Sequence, residues 1–263
     1  MAFVLACALA GCGSGCDGER RKLLVAPPRV AHLPDDAASV AVEPPADARV
    51  VAAPGFLDAP AGSLDGLFTG LAAAERRDPA ARILWLVFGD SHTAGDSLTS
   101  RLRFTLQRKF GDAGRGLVAA GRPPTRHYYQ RDVHYGAKGS WKAAVGGHRG
   151  DAEPFGIAGL RVFGQSKGAQ LWVETCSDCP AGTSVAQFEI LYYAAPDRGS
   201  LKYRVDDRPW QQLRTRTTAI EPPHPARQVI AVADGPHKLT IEHAGGGLVD
   251  LFGVVLERVR PGV

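Results

Sequence analysis

The chain contains no asparagine in its 263 residues. No Asn side-chain amide can therefore donate to a developing oxyanion, so any such donor must be backbone or another side chain. Cysteine is scarce: there are five, and three of them fall within the first 16 residues. That leaves Cys176-Ser-Asp-Cys179 as the one Cys-x-x-Cys pair in the body of the chain. Two cysteines are half of a structural zinc site, no second pair lies downstream, and no metal site is expected. A redox Cys-x-x-Cys would want a helix after it, which Pro180-Ala-Gly182 opposes, so a local disulfide is the expectation. Long apolar runs are missing too. Phe3 to Gly11 is too short to span a bilayer as a mature helix. The 31 Lys and Arg residues are scattered and leave a net charge of only +4, so nucleic acid is not an expected partner. There is no internal repeat.

What is present is an ordinary globular composition, 44% apolar and 22% charged, enough for a core. With 31 Gly and 19 Pro, turn-rich β structure is favoured over a helical bundle. Residues 1–16 read as a signal peptide. Leu9-Ala-Gly-Cys12 resembles the lipobox of bacterial lipoproteins, although no Lys or Arg precedes the apolar run. That resemblance implies lipidation of Cys12 and a cell-envelope or secreted location, with the membrane as a partner through the lipid. Residues 17–62, rich in Ala, Pro and Asp, read as a linker.

The organising stretch is Leu84-Trp-Leu-Val-Phe-Gly-Asp-Ser91. Its apolar run, short and closed by Gly89, predicts a strand buried on both faces. From Ser97 the pattern becomes helical, with Leu98, Leu102, Leu106 and Phe110 on one face. Ser63 is placed to cap an earlier helix through Ala74, and Leu117–Ala120 is placed as the next strand of the same sheet. Ser91 thus stands where a buried strand ends and a helix begins, a usual place for a nucleophile in an open α/β sheet. A polar turn, with Asp90 and Ser91 only capping the next helix, is the plain alternative.

Phe88-Gly-Asp-Ser-His-Thr-Ala-Gly-Asp-Ser-Leu98 resembles the first motif block of the SGNH (GDSL-type) ester hydrolases. It resembles in particular a bacterial envelope branch that includes peptidoglycan O-acetylesterases. The resemblance implies a serine esterase in which Ser91 is the nucleophile, its backbone N–H an oxyanion donor, and Asp90 a site-shaping residue. It needs no cofactor, and the implied partner is an O-acylated, peptidoglycan-like polysaccharide.

After Gly121 the character changes. Strand-like runs at 159–163, 169–174, 185–194, 201–205, 228–233, 238–243 and 248–257 predict a β-sandwich. The envelope esterases carry a sandwich insert, similar to a carbohydrate-binding module, at this place. The expected fold is therefore α/β, a partial SGNH-type three-layer domain, plus an all-β, jelly-roll-like sandwich. Residues 63–121 would be the first part of the hydrolase, 122–258 the loop and insert, and 259–263 a truncated return to the hydrolase domain. The family's base comes from a late Asp-x-x-His motif. The one such spelling, Asp234-Gly-Pro-His237, sits in a hairpin signal and is not carried over. Base and Asn donor are then unassigned, so the chain alone is expected to be a poor esterase, and a non-catalytic glycan-binding lipoprotein is the alternative. Of the aromatics, Tyr128, Tyr129, Tyr135 and Trp141 are the better saccharide candidates, and Trp172 is expected in the core.

Overall fold

The computed structural model describes residues 62–122, 128–146 and 153–263. The expected signal peptide, Cys12 and the linker up to Ala61 lie outside the described residues. The described residues fall in one compact unit.

Two helices and a short helical turn come first: α1 (Asp65–Glu75), α2 (Ser91–Ala94) and α3 (Ser97–Phe110). Ser63 does not cap α1; the N-cap position is Leu64, without a side-chain bond. Phe110 and Ala74 pack together with Ala81, and Leu71, Leu106, Ile83 and Val263 close this small cluster.

Eleven strands follow among the described residues: β1 (Gly116–Val118), β2 (His134–Lys138), β3 (Lys142–Val145), β4 (Leu160–Gly164), β5 (Gln170–Glu174), β6 (Val185–Ala194), β7 (Ser200–Val205), β8 (Gln211–Arg214), β9 (His224–Gly235), β10 (Lys238–Gly245) and β11 (Val249–Glu257). They form two antiparallel sheets. One has the order β3-β4-β11-β6-β9 with β1 added on β11, and the other β2-β5-β10-β7-β8. Period-2 alternation drives this arrangement. In β6, Phe188, Ile190 and Tyr192 point inward and are buried, while Gln187, Glu189 and Leu191 are only half-buried. Leu171, Val173, Leu201, Leu239 and Ile241 from the second sheet meet them in one core. The described part of the chain is therefore mainly a β-sandwich.

The expected α/β sheet is not formed among the described residues. Leu84–Phe88 is no strand, and Leu84 and Phe88 are 80% and 74% exposed. The physical reason is the lack of a ladder partner. Pairing reaches only Arg82, which bridges Gly262 in parallel, with Ile83 N–H donating to Gly262 O at 2.9 Å. Leu117, expected beside that run, instead pairs antiparallel with Val255 inside the sandwich.

Gly136 shows how tightly the second sheet is built. It faces Trp172 across the β2–β5 ladder, and a Cβ there would collide with the indole ring. Gly136→Ala is expected to destabilise by roughly 1–3 kcal/mol, as overpacking does. A urea titration of both chains measures it, and equal midpoints would contradict the assignment.

Candidate active site

The turn that carries Ser91 is built locally. Asp90 O accepts the N–H groups of Thr93 and Ala94, each at 3.1 Å, which closes α2. Asp90 Oδ1 accepts the His92 N–H at 2.9 Å and lies 3.1 Å from His92 Nδ1. The backbone bond is an N-cap bond, so Asp90 does cap this turn. That bond first, and the imidazole second, hold the Asp90 carboxyl below its usual range. A Cβ at Gly89 would press on the Thr93 side chain, 3.1 Å from its Cβ, so any larger residue there would force Thr93 to turn. Ser91 itself, placed by its backbone, is the first residue of α2.

A cavity of about 780 Å³ opens beside this turn. It is lined by Phe88, Gly89, Thr93 and Ala94, which flank Ser91 on both sides, and by Tyr128 and Tyr129. Phe252 and Ile157 bound it from the sandwich, and Leu102 and Leu106 from α3. Such a volume is in the range that admits a whole drug-sized ligand, enough for a sugar residue together with its acyl group. Tyr129 N–H donates to Ala94 O at 3.1 Å, which ties the aromatic loop to the turn.

A second residue of the motif, Asp96, fixes the turn to the rest of the protein. It is buried with φ +50°, in the left-handed region that Asp tolerates better than most residues. Its Oδ2 accepts Arg115 Nη2 at 2.8 Å and the Arg131 backbone N–H at 2.7 Å, with Arg103 Nη2 at 3.6 Å. Its Oδ1 accepts the Thr99 hydroxyl. Arg103 in turn reaches Asp132 Oδ2 at 3.0 Å. Burial, and then the charge on Arg103, pulls the Arg115 guanidinium down to about 10. In the sequence Asp96 carries only one signal, the repeat of Gly-Asp-Ser at Gly95-Asp96-Ser97 within the motif string.

The remaining described histidines are engaged elsewhere. His237 Nδ1 lies 2.7 Å from Asp206 Oδ2, and its Nε2 lies 2.8 Å from Ala233 O. Asp234 is taken by Arg258, at 2.6 and 2.8 Å. Asp234 and Gly235 end β9, which pairs with β6, whereas β10 pairs in the other sheet, so the Asp234–His237 spelling is a crossing between the sheets, neither the expected hairpin nor a dyad. His243 is buried and shapes the Gly245–Gly247 turn by accepting Gly245 N–H at Nδ1 and donating from Nε2 to Gly247 O, both at 2.9 Å. His224 approaches Pro222 O and Glu221, and His134 faces Asp178. His32, His127 and His148 lie outside the described residues.

Two aromatic expectations are reversed. Trp141 is buried at 3% exposure and belongs to the core. Trp172 is on the outer face of the second sheet, since Leu171 and Val173 beside it point inward. Lys238 Nζ lies 5.5 Å from its ring centre. Trp210 shares that face, with Lys202 Nζ and the Arg204 guanidinium 4.6 and 4.8 Å from its ring. Cys176 and Cys179, in the loop after β5, are joined as a disulfide.

No family model and no curated protein sequence matches the chain. Among solved structures it is similar to a family two carbohydrate esterase from Cellvibrio japonicus, at 14% identity and a TM-score of 0.28, over 49% of this chain and 34% of that one. It is similar to an exo-beta-1,3-galactanase from Phanerochaete chrysosporium at 12% identity and a TM-score of 0.34, over 56% of this chain and 30% of that one. A carbohydrate binding module from Cellvibrio mixtus lichenase 5A matches at 14% identity and a TM-score of 0.29, over 54% of this chain and 98% of the module. The chain thus spans about a third of the first two. At such TM-scores these likenesses establish neither a shared fold nor a shared activity.

Proposed function

We propose that this chain is a serine ester hydrolase of the SGNH type, anchored in the cell envelope through Cys12. In this reading it removes O-acyl groups, acetyl foremost, from a peptidoglycan-like polysaccharide. The observation that carries the reading is the Gly89-Asp90-Ser91 turn, which opens a helix at the edge of a cavity whose walls include Tyr128 and Tyr129. Ser91 Oγ attacks the acyl carbon, the sugar oxygen leaves with a proton, and water then hydrolyses the seryl ester. The cavity holds the acyl group, and the exposed ring of Tyr129 offers stacking area to a sugar.

Turnover is expected to be slow, because general-base assistance normally contributes about 10²–10⁴-fold and the described histidines other than His92 are turned to other partners. The test is hydrolysis of p-nitrophenyl acetate by the full chain. The wild type is expected to exceed the Ser91→Ala variant measurably, and the variant to fall to the buffer rate. Equal rates would overturn the assignment.

A second reading, a non-catalytic glycan-binding protein, is favoured by one specific observation. Trp172 and Trp210 share the outer face of the second sheet, each with cations against its ring. Retention on insoluble peptidoglycan that is lost in Trp172→Ala, with no Ser91-dependent turnover, would establish that reading in place of the first.

A further inference from the structure

The loop after β5 brings together four groups that the sequence keeps apart. His134 Nε2 lies 3.2 Å from Asp178 Oδ1. Cys176 Sγ lies 3.2 Å from the same oxygen. The donor atoms of His134, Cys176 and Asp178 all fall within 4.8 Å of one another. Cys179 Sγ is bonded to Cys176 Sγ and so belongs to the same point in space. In a tetrahedral site with bonds of about 2.0–2.3 Å, neighbouring ligand atoms stand roughly 3.3–3.8 Å apart. The His134–Asp178 and Cys176–Asp178 separations are close to that edge length. The frame is also held. Cys176 N–H donates to Gly182 O at 3.0 Å, and Gly182, at φ +70°, packs so closely on Asp132 O that no side chain fits there. Thr175 N–H donates to His237 O at 3.1 Å on the other side.

While the disulfide is closed, this cluster is poorly matched. A disulfide sulfur carries no proton, so the Asp178 carboxylate gains no hydrogen bond from Cys176. We propose that, once the Cys176–Cys179 bond is reduced, Cys176 Sγ, Cys179 Sγ, His134 Nε2 and Asp178 Oδ1 form a site for a thiophilic divalent cation, zinc by its chemistry. Two thiolates, an imidazole and a carboxylate are a donor set that zinc takes in tetrahedral geometry, and magnesium or calcium does not. The chemistry balances with a dithiol as reductant. The dithiol gives two electrons and two protons, opening the S–S bond to two thiols while it becomes a disulfide. The cation then displaces both thiol protons. At His134 it takes the place of the proton shared with Asp178.

The test uses the full chain with Cys7, Cys12 and Cys16 replaced by serine, so that Cys176 and Cys179 are its only thiols. Cobalt(II), a spectroscopic stand-in for zinc, is titrated into oxidised and dithiol-reduced protein, followed by competition with zinc. The reduced chain is expected to bind one cation with a sulfur-to-cobalt charge-transfer band, and the oxidised chain none. His134→Ala and Asp178→Ala are informative because both side chains are surface groups, 52% and 80% exposed, whose removal leaves the core intact. Each is expected to weaken binding by about tenfold or more, at least what loss of an outer-shell partner costs. Binding that both variants leave unchanged would mean simple chelation by two thiols and would overturn the proposal. Equal binding by oxidised and reduced protein would overturn it as well.

Discussion

Replacing Asp96 by alanine lowers the stability of this protein by roughly 3–5 kcal/mol, the cost of breaking a buried ion pair from one side. The variant leaves the Arg115 guanidinium buried with Arg103 as a like-charged neighbour, and it strips the Arg131 backbone N–H of its acceptor. Asp132 still pairs with Arg103 and Arg115 still donates to Arg131 O, so the network is damaged and not abolished. For a chain of this size the loss corresponds to a fall in Tm on the order of 10 °C. Asp96→Asn, which keeps an acceptor but not the charge, falls between. Thermal unfolding of the three proteins measures this, and a shift of only a degree or two in Asp96→Ala would contradict the role assigned to the network. The site is affected as well, because Asp96 joins the end of the Ser91 turn to residues 115 and 131 on the sandwich side.

The second large effect belongs to Asp250, which is fully buried between Arg161 and Arg198, with Nε–carboxylate separations of 3.3 and 2.7 Å. Asp250→Ala is expected to cost about 3 kcal/mol, the low end for a broken buried pair. The low end applies because Arg198 keeps Asp197 at 2.7 Å and both guanidinium groups stack on aromatic rings, of Phe163 and Tyr193. Burial pushes the Asp250 carboxyl above 3.8, with the two arginines opposing. The folded state therefore holds this proton more tightly than the unfolded chain does. Its contribution to stability is greatest at low pH, falls as pH rises from the unfolded value through the raised folded one, and is level above that. Asp250→Asn removes this dependence. The stability of the wild type relative to Asp250→Asn is thus expected to be higher near pH 4 than near pH 7, as read from urea midpoints. A difference that does not change with pH would contradict the raised value.

Much of the sandwich was legible because its strands alternate. Val185–Ala194 could be bounded from sequence, since Phe188, Ile190 and Tyr192 alternate with Gln187 and Glu189, although Leu191 and Tyr193 also face outward. β2, β3 and β8 could not. β2 reads His-Tyr-Gly-Ala-Lys, and its glycine argues for a loop; that same glycine is what makes room for the Trp172 ring. β3 and β8 are four residues each, too short for a period to show. Leu84–Phe88 misled in the opposite way. An apolar run states that a strand would be buried if partners surround it, and hydrophobicity alone does not supply the ladder. At the site, the residue types around Ser91 were visible, because the motif is contiguous. Asp96 was not, because its partners Arg115 and Arg131 lie 19 and 35 positions away. The grouping of His134 with Asp178 was invisible for the same reason.

The most direct measurement is acetate release from O-acetylated peptidoglycan, with retention on the same glycan measured in parallel for the wild type and Ser91→Ala. The account predicts that both proteins are retained and that only the wild type releases acetate. Retention of both without acetate release by either would contradict it, and would leave a sandwich that binds glycan and a serine that does no chemistry.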